Sequence, residues 1–148
     1  MTLKERLKED IKEAMKAKDA LRLSTLRLLT SAIKYKEIEA HKELDDEGVM
    51  DVMNTAVKQR RDSIEQYEKA GRTDLAEQEK AELAIIQTYM PEQLGRDQIE
   101  ALVKEAAAEV GAAGPKDMGK LMKALMPKVK GRADGKLVNE VVKAVLGG

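Results

Sequence analysis

The sequence predicts an all-α protein: an N-terminal helical domain of about four helices, followed by a small three-helix domain. Three observations predict it. Apolar residues recur at helical spacing in seven successive segments, with no strand alternation and no repeat of fixed period. Aromatics are only 2% of the chain, all of them tyrosine, so the core must be built from Leu, Ile, Val, Met and Ala, a composition rich in helix formers. The three prolines, Pro91, Pro115 and Pro127, all fall at segment ends. A length of 148 residues suits one or two small domains, and the pattern divides it into residues 1–93 and 96–148.

The first helix is expected over roughly 2–17. Thr2 with Glu5 forms a capping box, and Leu3, Leu7, Ile11, Ala14 and Met15 make the apolar stripe. Asp19 can cap a second helix over roughly 20–44. Leu21, Leu28, Leu29, Ala32 and Ile33 lie on one side of it, and Leu23 and Leu26 widen the face. A face this broad predicts more than one packing neighbour. Arg22 and Arg27 interrupt it and read as surface arginines with stems on the core edge. His41 stands on a polar segment with no second His or Cys near it, so it reads as an exposed residue, not a ligand or base.

After the acidic turn Leu44–Gly48, a third helix is expected over roughly 47–70, with Val49, Met53, Ala56, Val57, Ile64 and Tyr67 on its stripe. Arg60 falls in step with that stripe and clusters with Lys58 and Arg61. Ion pairs with the carboxylates of residues 62–82, or a second phosphate contact, would both explain the cluster; the abundance of acidic partners favours ion pairs. Gly71 suits the left-handed residue after that helix. Thr73 or Asp74 would then cap a fourth helix, roughly 74–89, which closes at Pro91.

Residues 93–96 read as a short linker. A fifth helix starts at Asp97 and carries Ile99, Leu102, Val103, Ala106 and Val110. Past the breaker-rich loop 111–115, Met118, Leu121, Met122, Leu125 and Met126 form the stripe of a sixth helix, which Pro127 is expected to end. The methionine stripe reads as core, with a groove for a partner helix as the alternative. Asp134 can cap a seventh helix, roughly 136–146, that uses Leu137, Val138, Val141, Val142 and Val145.

The string DMGKLMKALMPKVKGRADGKLVNEVV, residues 117–142, resembles the signature of the GatB/YqeY family. That signature recurs in the C-terminal tail of the GatB subunit of the tRNA-dependent amidotransferase and in small stand-alone YqeY proteins. The segments Leu26–Ile33, Lys58–Glu65 and Tyr89–Leu94 also resemble YqeY motifs, in the same order, so the likeness covers the whole chain and favours the stand-alone form. The resemblance implies a helical appendage associated with tRNA. It also carries a carbon–nitrogen ligase label, with glutamine as amido donor, that belongs by family inheritance to the catalytic part of the GatB subunit. Nothing in this sequence resembles that catalytic part.

The residues themselves offer no catalytic constellation. There is one His, no nucleophile elbow, no P-loop and no dinucleotide fingerprint, and exposed carboxylate pairs are common in any chain that is 36% charged. With no cysteine, thiolate metal sites, disulfides and Cys nucleophiles are excluded. No cofactor is expected.

Binding is better supported. The chain is neutral overall, yet residues 116–148 carry a net charge of +5 and residues 1–115 a net charge of −5. Lys116, Lys120, Lys123, Lys128, Lys130, Arg132 and Lys136 form the expected nucleic-acid-binding segment, suited to phosphates more than base edges. Gly131 and Gly135 would let backbone approach a ligand, and the free N–H groups opening the seventh helix could meet an anion. With so few aromatics, base stacking is disfavoured against backbone contact with tRNA or another structured RNA. A protein partner through the acidic N-terminal helices is the alternative. The N-terminus lacks a signal-peptide core and no apolar run is long enough for a span, so a cytoplasmic protein without membrane contact is expected.

Overall fold

Helix dominates the structure because its segments are rich in helix formers and several are closed by side-chain caps or left-handed residues. In the computed structural model, which describes residues 1–91 and 93–147, the elements are α1 (Leu3–Lys16), α2 (Ala20–Ala40), α3 (Asp46–Lys69), α4 (Thr73–Gln87), α5 (Arg96–Val110), a 3-10 turn (Pro115–Asp117), α6 (Met118–Val129) and α7 (Gly135–Leu146). No strand occurs among the described residues, so the protein is all-α. The chain separates into two compact units, Met1–Pro91 and Glu92–Gly148, each with its own core.

In the first unit, the Thr2 hydroxyl accepts the Glu5 N–H (3.1 Å) and the Glu5 carboxylate accepts the Thr2 N–H (3.0 Å), the reciprocal cap expected for α1. Asp19 caps α2 by accepting the Arg22 N–H (3.1 Å), and Asp45 caps α3 by accepting the Gly48 N–H (2.9 Å). Gly71 adopts φ +73°, the left-handed turn that lets α4 fold back on α3. Leu7, Leu26, Leu29, Ile33, Val49, Val52, Met53, Ala56, Val57, Ile86 and Tyr89 form the core.

Three expectations fail in this unit. α2 stops at Ala40, short of residue 44, because His41 turns left-handed (φ 55°). Leu44 then swings onto the core while its N–H bonds to Glu37 (2.8 Å). The buried face of α2 is Thr25, Leu26, Leu29 and Ile33, whereas Leu21 and Leu28 face solvent. α4 begins at Thr73 after Arg72, with no side-chain cap; Asp74 instead pairs with the Arg72 guanidinium (3.2 Å).

Polar links then tie the first unit together. Tyr89 donates its hydroxyl to Asp10 in a short hydrogen bond, Arg22 reaches the same carboxylate at 3.7 Å, and the Arg6 guanidinium lies 4.4 Å over the Tyr89 ring. Burial and the Asp10 carboxylate push the Tyr89 phenol up to about 12. Arg60 is not a phosphate contact: its Nε lies 3.5 Å from a Glu82 carboxylate oxygen, both side chains are 13% exposed, and its Nη1 donates to the Ala56 carbonyl (3.4 Å).

In the second unit, α5 packs against both α6 and α7. The core is Ile99, Val103, Ala106 and Ala107 from α5, Leu121, Leu125 and Val129 from α6, and Val138, Val141, Val142 and Leu146 from α7. The methionines are not the heart of it. Met118 and Met122 pack on its edge, and Met126 is 43% exposed. Pro127 does not end α6, which continues to Val129. A proline in the last turn forfeits one N–H to the Lys123 carbonyl, and burying Val129 offsets that loss.

Candidate nucleic-acid interface

The seven basic residues expected to form the site divide into three groups once α6 is wound. At 100° per residue, Lys120 and Lys123 fall on the side opposite Leu121, Leu125 and Val129, and both are exposed. Lys116 is exposed in the preceding 3-10 turn, one turn before Lys120 in sequence. Among the described residues no ion pair engages Lys116, Lys120 or Lys123. Asp117, between them in sequence, turns its carboxylate to the Ala113 N–H (3.0 Å) and the Gly114 N–H (3.4 Å). Those bonds, chiefly the one from Ala113, with the Lys120 charge also favourable, hold it below the usual carboxylate range.

Lys128 leaves the row. The helix continues through Pro127, so Lys128 projects towards α5, where its amine lies 2.8 Å from a Glu109 carboxylate oxygen and 3.3 Å from one of Glu105. The Glu109 hydrogen bond, opposed by partial burial and assisted by Glu105, raises its pKa above the ordinary lysine value. Its charge is already balanced, which a reading of residues 128–132 as a uniform basic loop could not reveal.

The third group is the α6–α7 turn. Lys130 closes α6 with its N–H on the Met126 carbonyl (2.9 Å), Gly131 takes φ +75°, and Arg132 and Lys136 follow within six residues. The turn is held by a segment that the sequence presents as a linker. Gln93 donates its side-chain amide to the Gly131 carbonyl (3.0 Å), and the Leu94 N–H bonds to the Arg132 carbonyl (2.7 Å). Residues 93 and 94 therefore brace the basic turn from within the second unit. Their partners lie 38 positions away, beyond the reach of any local pattern.

The anion pocket expected at the start of α7 already holds a carboxylate, because Asp134 accepts the Lys136 N–H (3.2 Å). Gly135 is exposed, with open space around its Cα, and is not pressed against other backbone. What the arrangement offers is a row of flexible ammonium groups along one helix face, next to a braced turn bearing three more cations. That is chemistry for phosphate oxygens spaced along a backbone. No group of three or more metal-ligating side chains occurs among the described residues, and His41 is exposed at the end of α2.

The family model for Yqey-like proteins matches residues 4–146, nearly the whole chain. The chain belongs to the Yqey-like family. It is also similar to curated proteins named "Altered inheritance of mitochondria protein 41, mitochondrial". The relative from Lachancea thermotolerans is 48% identical over 85 residues, 57% of this chain and 46% of the relative. That from Kluyveromyces lactis is 38% identical over 112 residues, 74% of this chain and 60% of the relative. That from Pyrenophora tritici-repentis is 32% identical over 145 residues, 96% of this chain and 80% of the relative. The chain thus spans about half the length of the first of these and most of the last. These relatives are named as mitochondrial proteins, which overturns the expectation of a cytoplasmic location. Lack of cysteine suits either reducing compartment, so composition could not separate the two. No helix of the described residues is long and apolar enough to cross a membrane.

Proposed function

We propose that this Yqey-like protein binds structured RNA, tRNA in the first instance, through the outer face of α6 and the adjoining turn. On this reading it assists tRNA-dependent amidation in trans, and the carbon–nitrogen bond is made by a partner enzyme with glutamine as amido donor. The observation that carries the proposal is three exposed cations, Lys120 and Lys123 on one face of α6 and Lys116 in the 3-10 turn before it, with no ion pair among the described residues to neutralise them. Lys130, Arg132 and Lys136 add charge at the braced turn. Lys128 contributes little, since a phosphate would have to displace two carboxylates from it.

The test is tRNA affinity of the purified protein across a salt series. Binding is expected to weaken steeply with salt. Each of Lys120→Ala and Lys123→Ala should lower the slope of log affinity against log salt by about one. Charge reversal at Lys116, Lys120 and Lys123 together should abolish binding, whereas Lys128→Ala should leave the slope unchanged. Retained binding in the triple reversal would remove α6 as the contact, and no binding by the parent at low salt would sink the RNA reading.

A further inference from the structure

Among the described residues seven large apolar side chains are exposed, and four of them lie on one helix: Leu21 (36%), Leu28 (57%), Tyr35 (72%) and Ile38 (68%), all on α2. They are not scattered. Leu21, Leu28 and Tyr35 are seven apart; Ser24 and Ser31 fall between them and Ile38 after them, all exposed and with the same period. The steps 21, 24, 28, 31, 35, 38 alternate three and four, which is the seam of a left-handed two-helix coil. The seam lies opposite the buried face of Thr25, Leu26, Leu29 and Ile33, so nothing in the first unit covers it. Ser24 already donates its hydroxyl to the Leu21 carbonyl (3.1 Å), which lets it sit in such a seam without an unsatisfied donor.

We propose that two copies of this chain pair through α2, parallel and in register. The flanking charges choose this occupant and this direction. Lys34 stands before the seam position of Tyr35, and Glu39, which pairs with the exposed Lys36 of its own helix at 3.7 Å, stands after that of Ile38. In a parallel pair of identical helices, a residue flanking the seam on one side meets the residue five positions further along the other helix, so Lys34 faces the partner's Glu39 and the contact is repeated by symmetry. An antiparallel pair would instead set Arg27 near the partner's Lys34, cation against cation. A second copy also supplies the matching leucine period automatically, since the interface is self-complementary. The helix is already ordered by its own core, so a seam of little more than two heptads need not also fold it. The interface is small, which places it among weak, concentration-dependent contacts.

The chain has no cysteine, which makes the test direct. Light scattering across a concentration series should show the mass doubling from 16.4 kDa. Leu28→Glu should hold it at the monomer mass at every concentration, with helical circular dichroism and melting unchanged because residue 28 is exposed. Ser31→Cys should form an intermolecular disulfide on mild oxidation, since parallel register brings residue 31 against its own copy within disulfide reach. A parent that stays monomeric throughout, as it would if a different protein covers the seam, overturns the proposal. So does a Leu28→Glu protein that still dimerises, or a dimer in which Ser31→Cys fails to cross-link.

Discussion

Tyr89 holds an aromatic contact with Arg6 and a charged hydrogen bond to Asp10 at once. Replacing it with Phe keeps the ring under Arg6 and deletes only the donor to Asp10, which should cost about 2 kcal/mol at neutral pH. The pH dependence follows from its raised pKa. The folded value, about 12, lies above the ordinary 10, so the contribution is fully present below pH 10 and is lost as pH rises towards 12. The melting-temperature difference between parent and Tyr89→Phe should therefore be flat below about pH 9.5 and shrink above about 10. Arg60 has the opposite logic. Removing it leaves Glu82 in a nearly buried site beside Glu79, whose pKa is already raised, first by burial and then by Glu82. Arg60→Ala should cost roughly 3 kcal/mol at neutral pH. A carboxyl with a raised folded pKa destabilises most when ionised, so denaturant melts should show that deficit narrowing as pH falls from neutral towards the ordinary glutamate range. A cluster of three basic residues in the sequence suggested ion pairing for Arg60; which carboxylate it meets depends on α4 folding back onto α3.

At the scale of the element, the α6–α7 turn is where backbone shape serves the candidate site. Gly131 sits at φ +75° and its carbonyl accepts the Gln93 amide. Gly131→Ala should destabilise the second unit by about 1 kcal/mol through left-handed strain. It changes no charge, so a parallel loss of tRNA affinity at low salt would separate the shape of the turn from its cations. α2 shows why local pattern reading stops short. Apolar residues surround it, and helical period alone cannot say which side meets a core, so Leu21 and Leu28 were as good candidates for burial as Leu26. α6 shows the same limit in another form. Proline is a strong signal for a helix end, yet the helix passes through Pro127 because Val129 must reach the core.

For the whole molecule, the presence of two separate cores predicts that damage to one spares the other. Leu121 is fully buried in the second core. Leu121→Ala should cost roughly 3 kcal/mol, a large part of the stability of so small a unit. Calorimetry should then show the second unit melting at a lower temperature while the transition of Met1–Pro91 stays in place. By itself the sequence determined the all-α class, the number and order of helices, the caps at Thr2, Asp19 and Asp134, and the family, because these depend on residue type and spacing within a few turns. That Lys116, Lys120 and Lys123 belong to a basic segment was legible for the same reason. Only the tertiary structure decided that Lys128 belongs to Glu105 and Glu109, that Gln93 and Leu94 brace the basic turn, and which face of α2 remains open. Each of those depends on a partner brought close by packing from elsewhere in the chain, and a one-dimensional pattern carries no distance between residues that far apart.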